Sequence, residues 1–297
     1  MRIIKKTDAF AKVNLTLDVV GVKENGYHYL ESIMQTVSLK DSVIAEYVSE
    51  SPFDIAFDVF PDSFVDCERK ENLCYKAAER FCEVFGIDNG RIIISLKKQI
   101  PVMAGLGGGS SDCAAVIRLL SSIFKIDVLR DERVVSVAAS LGSDVPFFLK
   151  GGLRKISGVG EKTSPLKGEI NGYFVMIKPK EGLSAKEVYD KFDEMPFVST
   201  NFTREAEKSG LSFSSFGNGL ETAGFILCPK CGKIKEDLLL AGADTSFLCG
   251  SGTSVCGIFR TYEAAEKAFF KFDKNNYFTS LCRPVYETEA ELVSDIF

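Results

Sequence analysis

The segment best suited to phosphate chemistry spans residues 101–112 and reads PVMAGLGGGSSD. Four of the five residues from Gly105 to Gly109 are glycine, so the backbone can turn several consecutive N–H groups towards one anion. A helix predicted to follow would add its free N–H groups and the positive end of its dipole. Ser110 and Ser111 add hydroxyls for phosphate oxygens or for a Mg²⁺ shell. The segment is typical of a phosphate-binding loop, and a glycine-rich turn without a ligand is the alternative.

Two common phosphate motifs do not match this segment. The Walker pattern G-x-x-x-x-G-K-[ST] is absent, which argues against a P-loop nucleotidase. A dinucleotide fingerprint counted from Gly105 has Ser110 in place of its last glycine, and no acidic partner for a ribose is apparent. A dinucleotide oxidoreductase is therefore the least favoured class.

A lysine and an asparagine occupy one face of the first predicted strand. Apolar and polar residues alternate over residues 9–20, so Lys12 and Asn14 point away from the apolar side. Periodicity alone favours a solvated strand face here. The alternative is a functional face.

A single carboxylate, Asp144, stands between a predicted helix end and the apolar run Val145–Phe148. Such an aspartate is usually a turn or capping residue. It could instead accept the proton of a substrate hydroxyl if a nearby cation keeps it ionised, and Lys12 is a candidate for that cation.

Two further segments carry weaker signals. Gly250-Ser251-Gly252 lies between two predicted strands and is either a tight connection or a second loop that faces an anion. Cys228 and Cys231 have the spacing of half a zinc ribbon or of a redox pair, but no second such pair accompanies them. We expect them to pack at the start of a helix, with Pro229 in its first turn, and we assign no residue of the chain as a metal ligand.

Composition narrows the class further. The 297 residues suggest two domains, and the net charge of −5 argues against a general nucleic-acid or membrane-surface binder. The chain has one histidine, His28, which excludes a multi-histidine metal site. Nine cysteines, an odd number, favour reduced and buried thiols. With no signal-peptide pattern at the start and no long apolar run, we expect a cytoplasmic protein.

The order of the predicted elements indicates an α+β or split βαβ arrangement. A domain boundary is expected near residues 165–170, which gives domains 1–167 and 168–297. Residues 153–164 are expected to form short strands and turns, and residues 193–217 a polar loop region. The predicted strands are 9–20, 27–39, 91–97, 173–178, 244–249, 254–260 and 278–284, and the predicted helices are 73–85, 111–125 (opened by Ser111 and Asp112), 131–141, 184–192, 229–241 and 262–273.

Taken together, the spaced segments resemble the GHMP kinases. The motif Pro101-x-x-x-Gly105-Leu106-Gly107-Gly108-Gly109-Ser110-Ser111 is similar to the family's phosphate-binding motif, and Gly250–Gly252 is similar to its C-terminal glycine loop. The stretches AKVNL (11–15), GYH (26–28) and GSDVPF (142–147) resemble members whose acceptor is a cytidine diphosphate derivative of methylerythritol. The likeness covers nearly the whole chain and thins over 193–217.

The resemblance implies a fold and an activity. The expected fold has an N-terminal ribosomal S5-like α/β domain, a C-terminal ferredoxin-like domain and an active site between them. The expected reaction transfers the γ-phosphoryl group of ATP, with Mg²⁺, to the 2-hydroxyl of the cytidylyl substrate. The expected partners are small molecules, with no nucleic acid or membrane, and the protein is expected to be a monomer or a homodimer.

The resemblance also implies roles for individual residues. Asp144 would be the catalytic base and Lys12 its partner. The ATP side would comprise the glycine-rich segment from Pro101 to Ser111 together with Asn72 and Lys98. The substrate side would comprise Asn14, Tyr27, His28, Tyr189, Gly250, Ser251 and Gly252.

Two other functions stay open at this stage. A GHMP kinase for another small alcohol, such as homoserine or mevalonate, would give the segment Gly26–His28 no role in binding. A non-catalytic nucleotide-binding relative would not need both Lys12 and Asp144. Ser143 and Cys113 stand where family members commonly have alanine, and because both side chains are small we expect no loss of function.

Overall fold

A computed structural model of the chain describes residues 1–24, 26–60, 69–128, 130–272, 274–286 and 293–295. Eight cysteines fall in these ranges, and all eight are free and buried. Asn25 and Cys67 lie outside the described residues. Within the described part of the chain, no helix has both the length and the apolar character that crossing a bilayer requires.

The strands and helices of the described residues alternate along the chain. The strands are β1 (Arg2–Val22), β2 (His28–Val48), β3 (Asp54–Phe60), β4 (Arg91–Lys97), β5 (Leu153–Ser157), β6 (Lys162–Pro165), β7 (Tyr173–Pro179), β8 (Gly217–Asn218), β9 (Thr245–Leu248), β10 (Val255–Phe259), β11 (Tyr277–Cys282), β12 (Pro284–Val285) and β13 (Val293–Asp295). The helices are α1 (Leu73–Phe85), α2 (Gly108–Ile123), α3 (Glu132–Leu141), α4 (Val145–Phe148), α5 (Ala185–Asp193), α6 (Phe202–Lys208), α7 (Glu221–Leu227), α8 (Pro229–Leu240) and α9 (Tyr262–Phe269).

The larger sheet is built on a long antiparallel hairpin of β1 and β2. Its main strand order is β13-β1-β2-β4-β3, with β3 parallel to β4. Register shifts between Phe10 and Ala11 and between Asn14 and Thr16 mark irregularities on either side of Lys12 and Asn14. Such bulges re-aim side chains, and they are common beside active sites.

One face of this sheet packs on α1, α2 and α3. The buried side of α1 includes Ala77, Ala78 and Phe81, which recur at helical spacing. Most residues of α2 are buried, because it lies between the sheet and the other helices. This core anchors the helix whose first turn opens at the glycine-rich segment.

The smaller sheet has the order β11-β7-β10-β9, and all its neighbours are antiparallel. One face packs on α8 and α9 through residues such as Val175 and Leu238. The other face contributes Phe174 and Ile258 to a core shared with Val13 of β1. The two sheets are therefore joined by apolar packing along β1.

The C-terminal half also returns to the larger sheet. β8 pairs in parallel with β1, β12 pairs with β2, and β13 pairs with β1. These pairings place segments distant in sequence beside the first two strands.

The structure corrects three sequence predictions. The region 193–217 is not all loop, because α6 lies within it, and the N–H groups of Phe202 and Thr203 donate to the carboxylate of Asp18 at 2.9 and 2.8 Å. The helix predicted over 111–125 begins earlier, at Gly108, so Ser111 lies inside the helix rather than at its cap. The predictions also omit the strands β3, β8, β12 and β13 and the helices α4 and α7.

Candidate active site

The glycine-rich segment forms a turn that ends at the N-terminus of α2. Gly105 and Gly107 have φ values of 72° and 71°, which favour glycine, and Gly107 is the N-cap. A Cβ at Gly105 would collide with the carbonyl oxygen of Cys249, and one at Gly107 would lie 2.7 Å from Cζ of Phe148. These close approaches explain why side chains are excluded here. The first turn of α2 then presents free N–H groups, as an anion site requires.

This turn borders a cavity of about 670 Å³, here called the glycine-rich cavity. The start of α1 and the start of α5 also line it. Its lining includes every residue predicted for the ATP side except Ser111, which is buried within α2. The ATP-side residues that line it are Asn72, Lys98, Pro101, Gly105, Leu106, Gly107, Gly108, Gly109 and Ser110.

Asn72 and Lys98 make protein contacts at the edge of this cavity. Asn72 is the N-cap of α1, and its Oδ1 accepts from the N–H of Cys74 at 2.9 Å. The ammonium group of Lys98 donates to the carboxylates of Asp41 and Asp112 at 2.5 and 2.7 Å. Both groups are therefore already engaged in holding the site's framework.

Lys98, Asp41 and Asp112 form a deeply buried group, here called the Lys98 cluster. Burial and the neighbouring charges shift the pKa values of Lys98 and Asp112. Burial works against the charge of Lys98, but the carboxylates of Asp112 and Asp41 outweigh it and raise the pKa of Lys98. Burial raises the pKa of Asp112 well above its usual range, against the opposing effect of Lys98. The Oδ1 atom of Asp112 is buried without a hydrogen-bond partner. Asp112 belongs to α2, and a Cβ on Gly108 would lie 3.3 Å from Nζ of Lys98, so the cluster packs against the first turn of α2.

Lys12 and Asn14 do not lie on a solvated face, so that interpretation of the periodicity is wrong. Both are buried, because the glycine-rich turn and the turn at Gly250 cover this part of β1. The N–H of Lys12 donates to the carbonyl of Leu106 at 2.9 Å, which ties β1 to the glycine-rich turn. A Cβ on Gly250 would lie 3.1 Å from Nζ of Lys12.

The side chains of Lys12, Asn14 and Asp144 meet at one point. Nζ of Lys12 donates to Oδ1 of Asn14 at 2.6 Å and lies 3.7 Å from Oδ2 of Asp144. Nδ2 of Asn14 donates to Oγ of Ser32 at 2.9 Å, which fixes the amide orientation. Asp144 precedes α4, but its side chain makes no capping hydrogen bond. Its carboxylate is thus available beside the ammonium group.

This cluster borders a second cavity of about 640 Å³, here called the aromatic cavity. Ser251 lines both cavities, so the turn at 250–252 lies where they meet. The predicted substrate-side residues that line the aromatic cavity are Asn14, Tyr27, His28, Tyr189, Gly250 and Ser251. Gly252 lines only the glycine-rich cavity.

The aromatic residues that line this cavity differ in their contacts and exposure. The rings of His28 and Tyr189 stack with their centroids 4.6 Å apart, whereas Tyr27 is 65% exposed. Burial raises the pKa of the Tyr189 hydroxyl, and the carboxylate of Asp144 raises it further. The structure thus brings Tyr189 against His28, and Tyr27 lines the same cavity.

Sequence reasoning missed Asn218, which supports the turn at 250–252. Its Nδ2 donates to the carbonyls of Leu248 and Gly250 at 2.8 and 2.7 Å. Its Oδ1 accepts from the N–H of Leu220 at 2.8 Å. The flanking glycines, Gly217 and Gly219, were the only local signal of a tightly packed backbone here.

Cys228 and Cys231 lie at the start of α8, as predicted, with Pro229 in its first turn. Both are buried, and Sγ of Cys231 donates to the carbonyl of Thr253 at 3.3 Å. Across the described ranges, the acidic, histidine and cysteine side chains form no cluster of three that could hold a metal ion. Mg²⁺ commonly binds through one or two protein oxygens together with phosphates and water, so it does not require such a cluster.

Comparison with known proteins gives a consistent result. Residues 72–152 match the family described as GHMP kinases N terminal domain, and residues 202–277 match GHMP kinases C terminal. A 4-diphosphocytidyl-2-C-methyl-D-erythritol kinase of Clostridium botulinum (strain Kyoto, type A2) is 36% identical over 84% of this chain and 89% of its own. The enzyme of the same name from strain Alaska E43, type E3, is 38% identical over 89% of this chain and 94% of its own.

A solved structure agrees in fold. The crystal structure of a 4-(cytidine 5'-diphospho)-2C-methyl-D-erythritol kinase superposes with a TM-score of 0.76 and 31% identity, covering 93% of this chain and 98% of that one. The expectation of a two-domain fold is confirmed by this match and by the two family segments. The chain belongs to the GHMP kinase family.

Proposed function

We propose that the protein transfers the γ-phosphoryl group of ATP to the 2-hydroxyl of 4-diphosphocytidyl-2-C-methyl-D-erythritol. The products are the 2-phosphate and ADP, and the reaction is a step of the non-mevalonate route to isoprenoid precursors. ATP as the donor favours a cytoplasmic location. The observation that carries the proposal is that the Lys12–Asp144 pair lines the aromatic cavity beside Gly250, in the turn at 250–252 where the two cavities meet.

The first turn of α2 and the glycine-rich segment would hold the phosphates of ATP. Phosphoryl transfer depends mainly on positioning and on stabilising negative charge, which backbone N–H groups at a helix N-terminus supply without reorganisation. The Lys98 cluster would support this turn. It would not bind ATP through Lys98, because the ammonium group of Lys98 already pairs with the carboxylates of Asp41 and Asp112.

Asp144 and Lys12 would act on the acceptor hydroxyl. Asp144 accepts the hydroxyl proton as the new bond forms between the acceptor oxygen and the γ-phosphorus. The bond from that phosphorus to the β,γ-bridging oxygen breaks, and ADP leaves. Lys12, held by Asn14 and 3.7 Å from Asp144, stabilises the negative charge that develops.

Mg²⁺ would bind chiefly to the ATP phosphates, and the hydroxyl of Ser110 would be the protein group that contributes to its shell. Ser110 lines the glycine-rich cavity, and Asp144 lines the adjoining aromatic cavity. When bound, the ion would neutralise charge on the phosphates. Lys12 and Asp144 would act on the acceptor hydroxyl whether or not the ion is bound.

The aromatic cavity would bind the cytidine end of the acceptor. Asn14 would help to hold the substrate near Lys12. His28 and Tyr189 offer an aromatic wall, and the exposed Tyr27 could close over a base from the other side.

We also propose that the chain divides into domains 1–167 and 168–297. This boundary lies between the strand pair β5 and β6 and the next strand, β7.

The proposal is tested by ADP release from ATP and Mg²⁺ with this acceptor, with mevalonate, homoserine and galactose as controls. Turnover with the cytidylyl compound alone is the expected result. Turnover only with another alcohol would keep the Lys12–Asp144 chemistry but overturn the substrate. ATP binding without turnover on any alcohol would favour a non-catalytic relative.

A further inference from the structure

A carboxylate outside the Lys12–Asp144 cluster contacts the only histidine of the chain. Oδ1 of Asp193 lies 2.7 Å from Nε2 of His28. His28 is the first residue of β2, and Asp193 is the last residue of α5. The His28 side chain is 6% exposed and that of Asp193 is 50% exposed, so the pair lies at the rim of the aromatic cavity.

The ring of His28 is held in one orientation by α5. Tyr189 stacks on it at an interplanar angle of 26°, and Phe192 meets it edge-on with centroids 6.0 Å apart. Tyr189 and Asp193 are four residues apart, so they lie on the same side of the helix. One helix therefore supplies both the stacking contact and the hydrogen bond.

The hydrogen bond determines what the ring can offer a ligand. A carboxylate only accepts hydrogen bonds, so the proton of a neutral His28 ring must be on Nε2. The other nitrogen, Nδ1, then carries a lone pair and is an acceptor. Among the described residues, Asp193 is the one hydrogen-bond partner of the ring.

We infer that Asp193 is a positioning residue that makes the His28 ring selective for a base with an exocyclic amino group. With Nε2–H held by Asp193, Nδ1 can accept from the amino group of cytosine. Uracil presents a carbonyl at the same place, and two acceptors would then face each other. The inference rests on the proposed function, because it assumes that the aromatic cavity receives the pyrimidine.

The protonation of His28 can be observed directly, because the chain has one histidine. Imidazole ¹⁵N NMR of protein labelled at histidine reports a single ring. We expect the Nε2–H form for the neutral ring of the unmodified protein. In Asp193→Asn the amide can donate or accept, so a mixture of both tautomers is expected. An Nδ1–H ring in the unmodified protein would overturn the inference, as would an unchanged spectrum in Asp193→Asn.

Glu194→Gln is the matched control. It removes the same charge from the next residue, whose carboxylate is 66% exposed and pairs with Lys191 at 2.8 Å instead of with His28. Its ¹⁵N spectrum should equal that of the unmodified protein. A change of tautomer in Glu194→Gln as large as that in Asp193→Asn would show that the loss of a nearby charge is sufficient to cause it. That result would overturn a specific role for Asp193.

Kinetics with the cytidylyl acceptor and its uridylyl analogue test the selectivity. In Asp193→Asn we expect KM for the cytidylyl acceptor to rise about 10-fold, with kcat within about 2-fold and reduced discrimination against the uridylyl analogue. Unchanged discrimination, beside normal turnover by the unmodified enzyme, would overturn this inference alone. Turnover of neither compound by the unmodified enzyme would overturn the proposed function and the selectivity with it.

Discussion

Nζ of Lys12 lies 3.7 Å from Oδ2 of Asp144, and the two side chains are exposed to very different degrees. The lysine side chain is 5% exposed, whereas the aspartate side chain is 27% exposed. The ammonium group is thus largely removed from water while the carboxylate still faces the cavity. This arrangement suits a cation that stabilises charge from within the wall and a base that reaches a bound hydroxyl.

Replacing the carboxylate should affect the chemical step more than binding. We expect Asp144→Asn to lower kcat by at least about 10²-fold, the usual scale for a general base, with little change in KM for ATP. Initial rates over a range of both substrates measure this. A variant with near-normal kcat would contradict the role of Asp144.

Replacing the buried lysine should also lower kcat, because it removes charge stabilisation rather than the base. We expect Lys12→Met to lower kcat by about 10²–10³-fold, because the charge that develops in transfer loses its nearest buried cation. The double variant with Asp144→Asn should be little worse than either single variant, since the two residues act as a unit. Fully additive losses would show that they act independently.

The glycine-rich turn should not tolerate a side chain at Gly105. In Gly105→Ala the new Cβ would collide with the carbonyl of Cys249, and φ there is 72°. We expect a loss of about 2–4 kcal/mol in the free energy of unfolding, from strain together with the collision.

Gly210→Ala is the control for Gly105→Ala. Its φ is 66°, but a Cβ would meet nothing within 4 Å. It should cost only the backbone penalty of about 1 kcal/mol. Urea denaturation measures both variants, and equal losses would show that the packing against Cys249 contributes nothing.

Removing the cation of the Lys98 cluster should destabilise the protein in a pH-dependent way. In Lys98→Met the carboxylates of Asp41 and Asp112 are left buried without their partner, and we expect a loss of about 3–5 kcal/mol at neutral pH. The exposed neighbour Lys97 provides the control variant Lys97→Met, which should stay within about 0.5 kcal/mol of the unmodified protein.

The sign of the pH effect follows from the raised pKa of Asp112. A carboxyl group whose pKa is higher in the folded than in the unfolded protein stabilises the fold at low pH, and this stabilisation is lost as pH rises towards the folded pKa. Without Lys98 the pKa of Asp112 rises further. The loss of unfolding free energy in Lys98→Met should therefore be smaller at pH 5 than at pH 8. A deficit that is constant between these pH values would contradict the coupling.

Loosening the turn that separates the cavities should affect both substrates. Asn218→Ala removes the donor to the carbonyls of Leu248 and Gly250. Because Ser251 lines both cavities, we expect KM for ATP and for the acceptor to rise together, each by about 5–10-fold. A rise for one substrate alone would show that the turn serves only one cavity.

Local signals were enough to predict several elements. The bounds of α1 and β4 agree with the predicted 73–85 and 91–97, because Asn72 caps the helix, Gly86 ends it, and a run of isoleucines forms the strand. The glycine pattern at 105–109 correctly indicated a tight turn before a helix.

Features that depend on distant partners could not be predicted in this way. The N–H groups that begin α6 are satisfied by Asp18, far away in sequence, so residues 193–217 carried no local helix signal strong enough to recognise. The alternation along β1 showed that Lys12 and Asn14 share a face, but not that two glycine turns bury it. The contact between His28 and Asp193 likewise joins two elements that periodicity cannot relate.

The most direct test of phosphoryl transfer to the cytidylyl acceptor is ³¹P NMR of the reaction with ATP, Mg²⁺ and 4-diphosphocytidyl-2-C-methyl-D-erythritol. We predict that a phosphomonoester signal, coupled to the carbon that bears the 2-hydroxyl, grows in step with ADP in the unmodified enzyme and is lost in Asp144→Asn. Release of inorganic phosphate without this ester, or an ester at another hydroxyl, would contradict the proposed reaction.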